Sequence, residues 1–161
     1  MPLEIRKAKD DDFEGIWEIF HHIVNEGTSF IYKDDTTREK AHKLWMEETT
    51  PFVAVLEGKI VGFYLIRQNK VGRGSHVCNA AYMVHHEYRK QKIGQALCEH
   101  SLNEAKKQGY KAMQFNIVVS TNHKAVALWM KMGFEVVGTI PQAFEHKELG
   151  LVDAYIMHRF L

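Results

Sequence analysis

The segment Tyr88-Arg89-Lys90-Gln91-Lys92-Ile93-Gly94-Gln95-Ala96-Leu97 places three cations where an apolar run gives way to a helical one. The first amides of a helix lack internal partners and face outward. The helix dipole adds partial positive charge at the same place. A pyrophosphate suits such a position, and Arg89, Lys90 and Lys92 strengthen the local field. A solvated basic helix start has the same composition, and this segment alone leaves both readings open. A second constellation is built from asparagines. Asn116 and Asn122 stand six residues apart, and Asn79 lies on an earlier apolar run. Asparagine is depleted in strands, so Asn79 and Asn116 within strand-like runs call for a reason. Side-chain amides can orient an amine and donate to a developing oxyanion; a pair of satisfied strand amides is the plainer alternative. Asn122 precedes a helical run and reads as an N-cap.

Other polar residues carry less. His85 and His86 are neighbours, and neighbours in an extended segment face opposite ways, so they make a poor metal pair and no metal site is expected. Cys78, next to Asn79, should point away from it as a core thiol. Cys78 and Cys98 form neither a disulfide framework nor a zinc spacing, and reduced cytosolic thiols are the simplest reading.

These residues need elements to position them. Leu3 to Ala8 alternates apolar and polar and reads as a strand. Phe13, Ile16, Trp17, Phe20 and Val24 give a first helix a broad apolar face, ended by Gly27. A loop over 28–35 carries Phe30 and Tyr32. Thr36 and Thr37 can cap a second helix bearing Ala41, Leu44 and Trp45. Phe52–Leu56 and Ile60–Ile66 form a hairpin about Glu57-Gly58-Lys59. Val77–Val84 is a strand, Ile93–Lys107 a helix closed near Gly109, and Met113–Val119 a strand. Asn122 opens a helix with Ala125, Leu128, Trp129 and Met132 on one side, which Gly133 ends. Phe134–Ile140 and Val152–Phe160 are the last two strands. The order predicts an α/β (α+β) fold: a mixed central sheet of about seven strands flanked by about four helices.

The bulk numbers bound the class. With 161 residues, a single domain over residues 1–161 is expected. Hydrophobic residues make up 45% and charged residues 25%, ordinary globular usage. A formal net charge of +1 gives no broad basic field of the kind that nucleic acid requires. No apolar run approaches the roughly 18–20 residues that span a bilayer, and the first residues lack the apolar stretch of a signal peptide. A cytoplasmic location follows by default, with no membrane or nucleic-acid partner.

The two constellations together resemble the signatures of the GNAT superfamily of N-acetyltransferases. Arg89-Lys90-Gln91-Lys92-Ile93-Gly94 is similar to its coenzyme A signature, keeping the second glycine as Gly94 and replacing the first with Lys92. Lysine resists positive φ, so the replacement suggests a backbone that does not need it. Asn122-x-x-Ala125-x-x-Leu128-Trp129-x-x-x-Gly133-Phe134 resembles the second signature. Where many members have a tyrosine that protonates the leaving thiolate, this chain has Trp129, whose indole N–H is a donor without an accessible acid pKa. The resemblance implies acetyl-CoA as co-substrate. It would be bound by Tyr82, Met83 and Val84 alongside the pantetheine arm, by Arg89, Lys90, Gln91, Lys92, Ile93, Gly94 and Gln95 at the pyrophosphate, and by Asn122 and Trp129.

From about Asn79 to Leu161 the chain resembles the L-azetidine-2-carboxylate (proline-analogue) acetyltransferases, alongside the phosphinothricin-type small-molecule enzymes. That resemblance implies amides in place of titrating groups: Asn79 and Asn116 catalytic at the acetyl group and amine, Asn122 on the coenzyme A arm. It places Phe30 and Tyr32 in the acceptor pocket, with Pro141 to Leu149 closing its other side. The implied acceptor is a small-molecule amine, an amino acid or amino-acid analogue, attacked in a ternary complex, and a homodimer is possible in such enzymes. A protein or peptide N-acetyltransferase and a non-catalytic acyl-CoA sensor are the alternatives.

Overall fold

Alternating apolar runs carry seven strands into one sheet, in the order β1-β2-β3-β4-β5-β7-β6. The computed structural model describes residues 2–161. In chain order the elements are β1 (Glu4–Lys7), α1 (Phe13–Glu26), α2 (Arg38–His42), β2 (Phe52–Leu56), β3 (Lys59–Gln68), β4 (Val77–Val84), α3 (Ile93–Lys107), β5 (Ala112–Val119), α4 (His123–Lys131), β6 (Glu135–His146) and β7 (Gly150–Phe160). Among the described residues only β4 and β5 pair in parallel, and a parallel pair needs a long crossover, which α3 supplies. The mixed sheet with four helices is the architecture read from the sequence.

Each face of the sheet has its own core. On one, Phe13, Ile16, Phe20 and Ile23 of α1 pack with Trp45, with Phe63 and Leu65 of β3, and with Met83 of β4. On the other, Ile93, Leu97, Leu102 and Ala105 of α3 pack with Tyr64, Cys78, Tyr82, Met113 and Phe115. Each such side chain contributes about 1.5–3 kcal/mol of apolar burial. The close seat of α3 depends on Gly62: a Cβ there would lie 3.1 Å from the Met83 carbonyl and 3.0 Å from Leu97 Cδ1.

Three local expectations differ from what the chain adopts. The strand expected over Phe134–Ile140 runs on to His146, and β7 starts at Gly150 rather than Val152. Pro141 does not stop it because β6 is the sheet's edge, where a missing N–H is tolerated. The register shifts between Ile140 and Phe144, with Gln142 at φ 51°. The second helix is capped by Thr37, which accepts from the Lys40 amide, but passes into a π-helical turn over Lys43–Glu47.

The third difference is the turn before α3. Lysine at position 92 argued for a backbone without positive φ, yet Lys92 has φ 62° and Lys90 φ 67°. Between them and the extended Arg89, the chain changes hand repeatedly, and such alternation turns amides toward one side as an anion-binding nest. The geometry that glycine usually serves is therefore kept at a cost. For a non-glycine residue that cost is about 1–2 kcal/mol. Lys92→Gly removes it against roughly 0.5–1 kcal/mol of added chain entropy. Thermal unfolding of Lys92→Gly should therefore give a Tm higher by about 2 °C; an unchanged or lower Tm would show Lys92 unstrained.

Candidate active site

The site begins where the sheet comes apart. β4 and β5 pair only through Val77–Asn79 and Ala112–Gln114. Beyond that, β4 stays with β3 as far as Val84 and β5 with β7 as far as Val119. The strands diverge, and main-chain groups along the inner edges are left without a ladder partner. Backbone N–H and C=O groups away from water need partners, so this wedge is built to receive something extended.

Two connected cavities fill it. A groove of about 660 Å³ runs along Tyr82, Met83 and Val84, past Arg89, Lys90, Lys92, Ile93, Gly94 and Gln95, to Thr121, Asn122 and Lys124. A pocket of about 250 Å³ lies at the wedge's apex, lined by Asn79, Asn116, Phe30, Tyr32, Arg67, Trp129 and neighbours. The two share Ser29, Phe30, Tyr82, Asn122 and Ala125. Met83 is 1% exposed, so it offers its main chain to the groove. Gln91 stands outside the groove's lining.

Strand alternation decides what faces the pocket. Cys78, Ala80 and Tyr82 pack toward α3, and Ala81 and Met83 toward α1. Asn79 therefore lies on the α1 face. On β5, Met113 and Phe115 pack toward α3, which puts Asn116 on the same face as Asn79. Asn79 Nδ2 donates to the Gln114 carbonyl at 2.9 Å, and its Oδ1 has no assigned protein donor among the described residues. Asn116 accepts from Gln114 Nε2 at 3.0 Å and donates to Asn69 Oδ1 at 2.7 Å. Asn116 is thus held from both ends, while Asn79 keeps its carbonyl oxygen available. Asn122 caps α4 as expected, accepting from the Ala125 amide at 3.3 Å, and retains its NH₂.

Aromatic rings form the walls. Trp129 lies 5.0 Å from Tyr82 and 4.9 Å from Phe115, centroid to centroid. The Tyr82 hydroxyl is turned into the opposite core, bonded to Ser101 at 2.6 Å. Tyr32 packs 5.2 Å from Phe20. Burial raises the Tyr32 hydroxyl above its ordinary pKa, with the positive Arg67 pulling the other way. Cys78 faces the core as expected, burial pushing its thiol up to about 12.

The groove carries the charges. Arg89 makes a two-pronged pair with Glu26, at 3.1 and 2.6 Å. Burial pushes Glu26 up, but the Arg89 bonds and charge, with His22 and His86, outweigh it and hold the carboxyl below its usual range. Lys90, Lys92 and Lys124 line the same groove. Among the described residues, no Asp, Glu, His or Lys lines the apical pocket, and Arg67 is its one charged side chain.

Gly94 tests whether a ligand fits. It sits in the first turn of α3 with no positive φ, and a Cβ there would meet only Leu128 at 3.4 Å and Val84 at 3.8 Å, ordinary contacts. Neither backbone nor packing demands glycine, which costs a helix about 1 kcal/mol. Close approach of a ligand explains it. Nest amides, three lysines and an open strand edge suit a pyrophosphate attached to an extended amide-bearing arm.

Sequence reasoning missed several lining residues: Glu26, Ser29, Arg67, Thr121, Lys124 and His146. For Arg67 a signal existed, since it shares parity with Phe63 and Leu65 on β3. The adjacent histidines also differ from expectation: the His85 and His86 rings stack at 4.6 Å instead of diverging, because the chain leaves the strand there for a 3₁₀ turn. Among the described residues no three His, Cys, Asp or Glu side chains converge as metal ligands, and no helix is long and apolar enough to cross a membrane.

Comparison with known proteins agrees with this geometry. Residues 17–134 match the acetyltransferase (GNAT) family. A GCN5-related N-acetyltransferase from Kribbella flavida superposes with a TM-score of 0.94 at 39% identity, covering 99% of this chain and 98% of that one. The N-acetyltransferase aca1 of Schizosaccharomyces pombe is 38% identical over 98 residues, 60% of this chain, so the match spans about half (47%) of that relative. An N-alpha-acetyltransferase of Saccharolobus solfataricus is 25% identical over 96% of this chain and 91% of its own length. A phosphinothricin acetyltransferase from Sinorhizobium meliloti, solved with AcCoA, shares the fold at 20% identity, with a TM-score of 0.88 over all of this chain and 89% of that one. The match over most of its length, with the near-complete superposition at 39% identity, places the chain in the GNAT family of acetyl-CoA-dependent N-acetyltransferases.

Proposed function

We propose that the protein transfers the acetyl group of acetyl-CoA to the amine of a small molecule, an amino acid or amino-acid analogue, by direct attack with both substrates bound. The observation that carries this reading is the apical pocket. At about 250 Å³ it has the room of roughly eight waters at ~30 Å³ each, enough for a small acceptor beside an acetyl group. Phe30, Ile31 and Tyr32 wall it on one side.

Acetyl-CoA supplies the acetyl group as an activated thioester. The nest around Lys90 and Lys92 would hold its phosphates, helped by Lys124. Open main-chain groups of Tyr82–Val84 and the free NH₂ of Asn122 would bond the pantetheine arm. Asn79, with an uncommitted Oδ1, would accept from the acceptor's N–H and aim its lone pair. The remaining N–H of Asn116, oriented by Gln114 and Asn69, would donate to the oxygen on which negative charge develops. No Asp, Glu, His or Lys lines the pocket among the described residues, so neutral amine is the reactive form: its proton goes to water as the C–N bond forms, and the C–S bond breaks to release coenzyme A as a thiolate that takes a proton from water.

Acetylation of a protein or peptide N-terminus is the second reading, favoured by the Saccharolobus relative. A thiol-release assay with acetyl-CoA, run on free amino acids, proline analogues and short peptides, separates the two. Turnover of free amino acids is expected. Turnover of peptides alone favours the second reading, and coenzyme A binding without turnover favours an acyl-CoA sensor.

Asn116→Ala should lower kcat about 10²-fold, the usual cost of one oxyanion donor, with acetyl-CoA affinity within twofold of the parent. The pH profile of kcat/KM should keep its shape and follow the acceptor amine's own pKa. Unchanged kcat, or an inflection fixed near neutral pH for all acceptors, would remove the amide mechanism.

A further inference from the structure

Arg67 is the one charged side chain among the described residues of the apical pocket and stands outside the basic groove. Its place follows from the sheet. It lies directly across from Asn79 in the β3–β4 register, and facing residues of an antiparallel pair have Cβ atoms about 4.5–5.5 Å apart. Both are on the α1 face. The guanidinium therefore shares a wall with the amide proposed to aim the amine.

Three arginines are tied to carboxylates and Arg159 to main-chain carbonyls; of the two without either among the described residues, Arg67 and Arg73, Arg67 lines the pocket. Arg6 pairs with Asp12, Arg38 with Glu14 and Arg89 with Glu26. Arg67 has no carboxylate partner and no side-chain hydrogen bond among the described residues, and no acid lines its pocket. Arg67 is solvent-exposed, so its charge is hydrated in the free protein and open to an acceptor. An acceptor with extra positive charge would be repelled. An acceptor with an anionic group beside its amine would be drawn in, since guanidinium binds carboxylate in a two-pronged fork.

We propose that Arg67 is a specificity-determining residue that binds a carboxylate on the acceptor, selecting amines that carry one close to the reactive nitrogen and rejecting polyamines. This rests on the small-molecule reading given above. The short span between Arg67 and Asn79 suits α- or β-amino acids, in which one or two carbons separate the two groups.

The test uses thiol release with wild type, Arg67→Gln and Arg67→Lys. The probes are L-azetidine-2-carboxylate, L-proline and L-alanine, their carboxamides, and putrescine. Wild type should prefer each acid over its carboxamide at least tenfold and leave putrescine unreacted. Arg67→Gln should raise KM for the acids about 10–10²-fold, in line with loss of a charge-assisted pair, with kcat little changed. Its carboxamide kinetics should stay as in wild type, erasing the preference. Arg67→Lys should restore part of it, and all three proteins should bind coenzyme A equally. Wild type accepting acids and carboxamides alike, or Arg67→Gln losing both alike, overturns the role of Arg67 while sparing the small-molecule reading. Acetylation confined to peptides overturns both.

Discussion

The parting of β4 from β5 after Asn79 and Gln114 is the constraint on which the site depends. A parallel pair that stayed zipped would satisfy its own backbone and leave no room between the strands. By separating, the two strands expose unpaired main-chain groups and open a wedge from the basic turn to the sheet's interior. Each strand survives the separation because it has another neighbour, β3 for β4 and β7 for β5. The insertion of β7 between β5 and β6 is thus part of the functional design, since without it the inner half of β5 would be an edge.

Around the wedge, stability is given up in small amounts where a ligand recovers it. Lys90 and Lys92 hold left-handed backbone, Gly94 weakens the first turn of α3, and the strand edges lack partners. Glu26 occupies Arg89 within the same groove, so a phosphate arriving there meets an arginine already oriented. Asn116 is fixed between Gln114 and Asn69, and Asn79 is tethered through its NH₂ alone. The amides differ in freedom, and that difference suits the roles proposed for them: a fixed donor and an available acceptor.

Much of this was legible in the sequence, element by element. α3 has the bounds its periodicity gave, Asn122 caps α4, and Cys78 faces away from Asn79, because short-range rules govern each. The strong features of both signatures placed the groove. What stayed hidden came from non-local structure. The length of β6 depends on its being an edge strand, which tolerates Pro141. The positive φ of Lys92 contradicts local preference because the turn's shape prevails over the residue's. The stacking of His85 on His86 follows from a 3₁₀ turn that replaced extended chain. Arg67 joins the pocket only through its pairing with Asn79, and register across a hairpin of that length cannot be counted from one strand.

The geometry suits an open β4 edge that receives the arm of acetyl-CoA as an added strand. Hydrogen exchange of main-chain amides, measured with and without saturating coenzyme A, tests it most directly. Within Ala80–Val84, the alternate amides that face the wedge should become at least tenfold more protected, while amides of the β2–β3 ladder stay as they were. Coenzyme A binding with no gain of protection at those β4 amides would mean that the arm lies elsewhere.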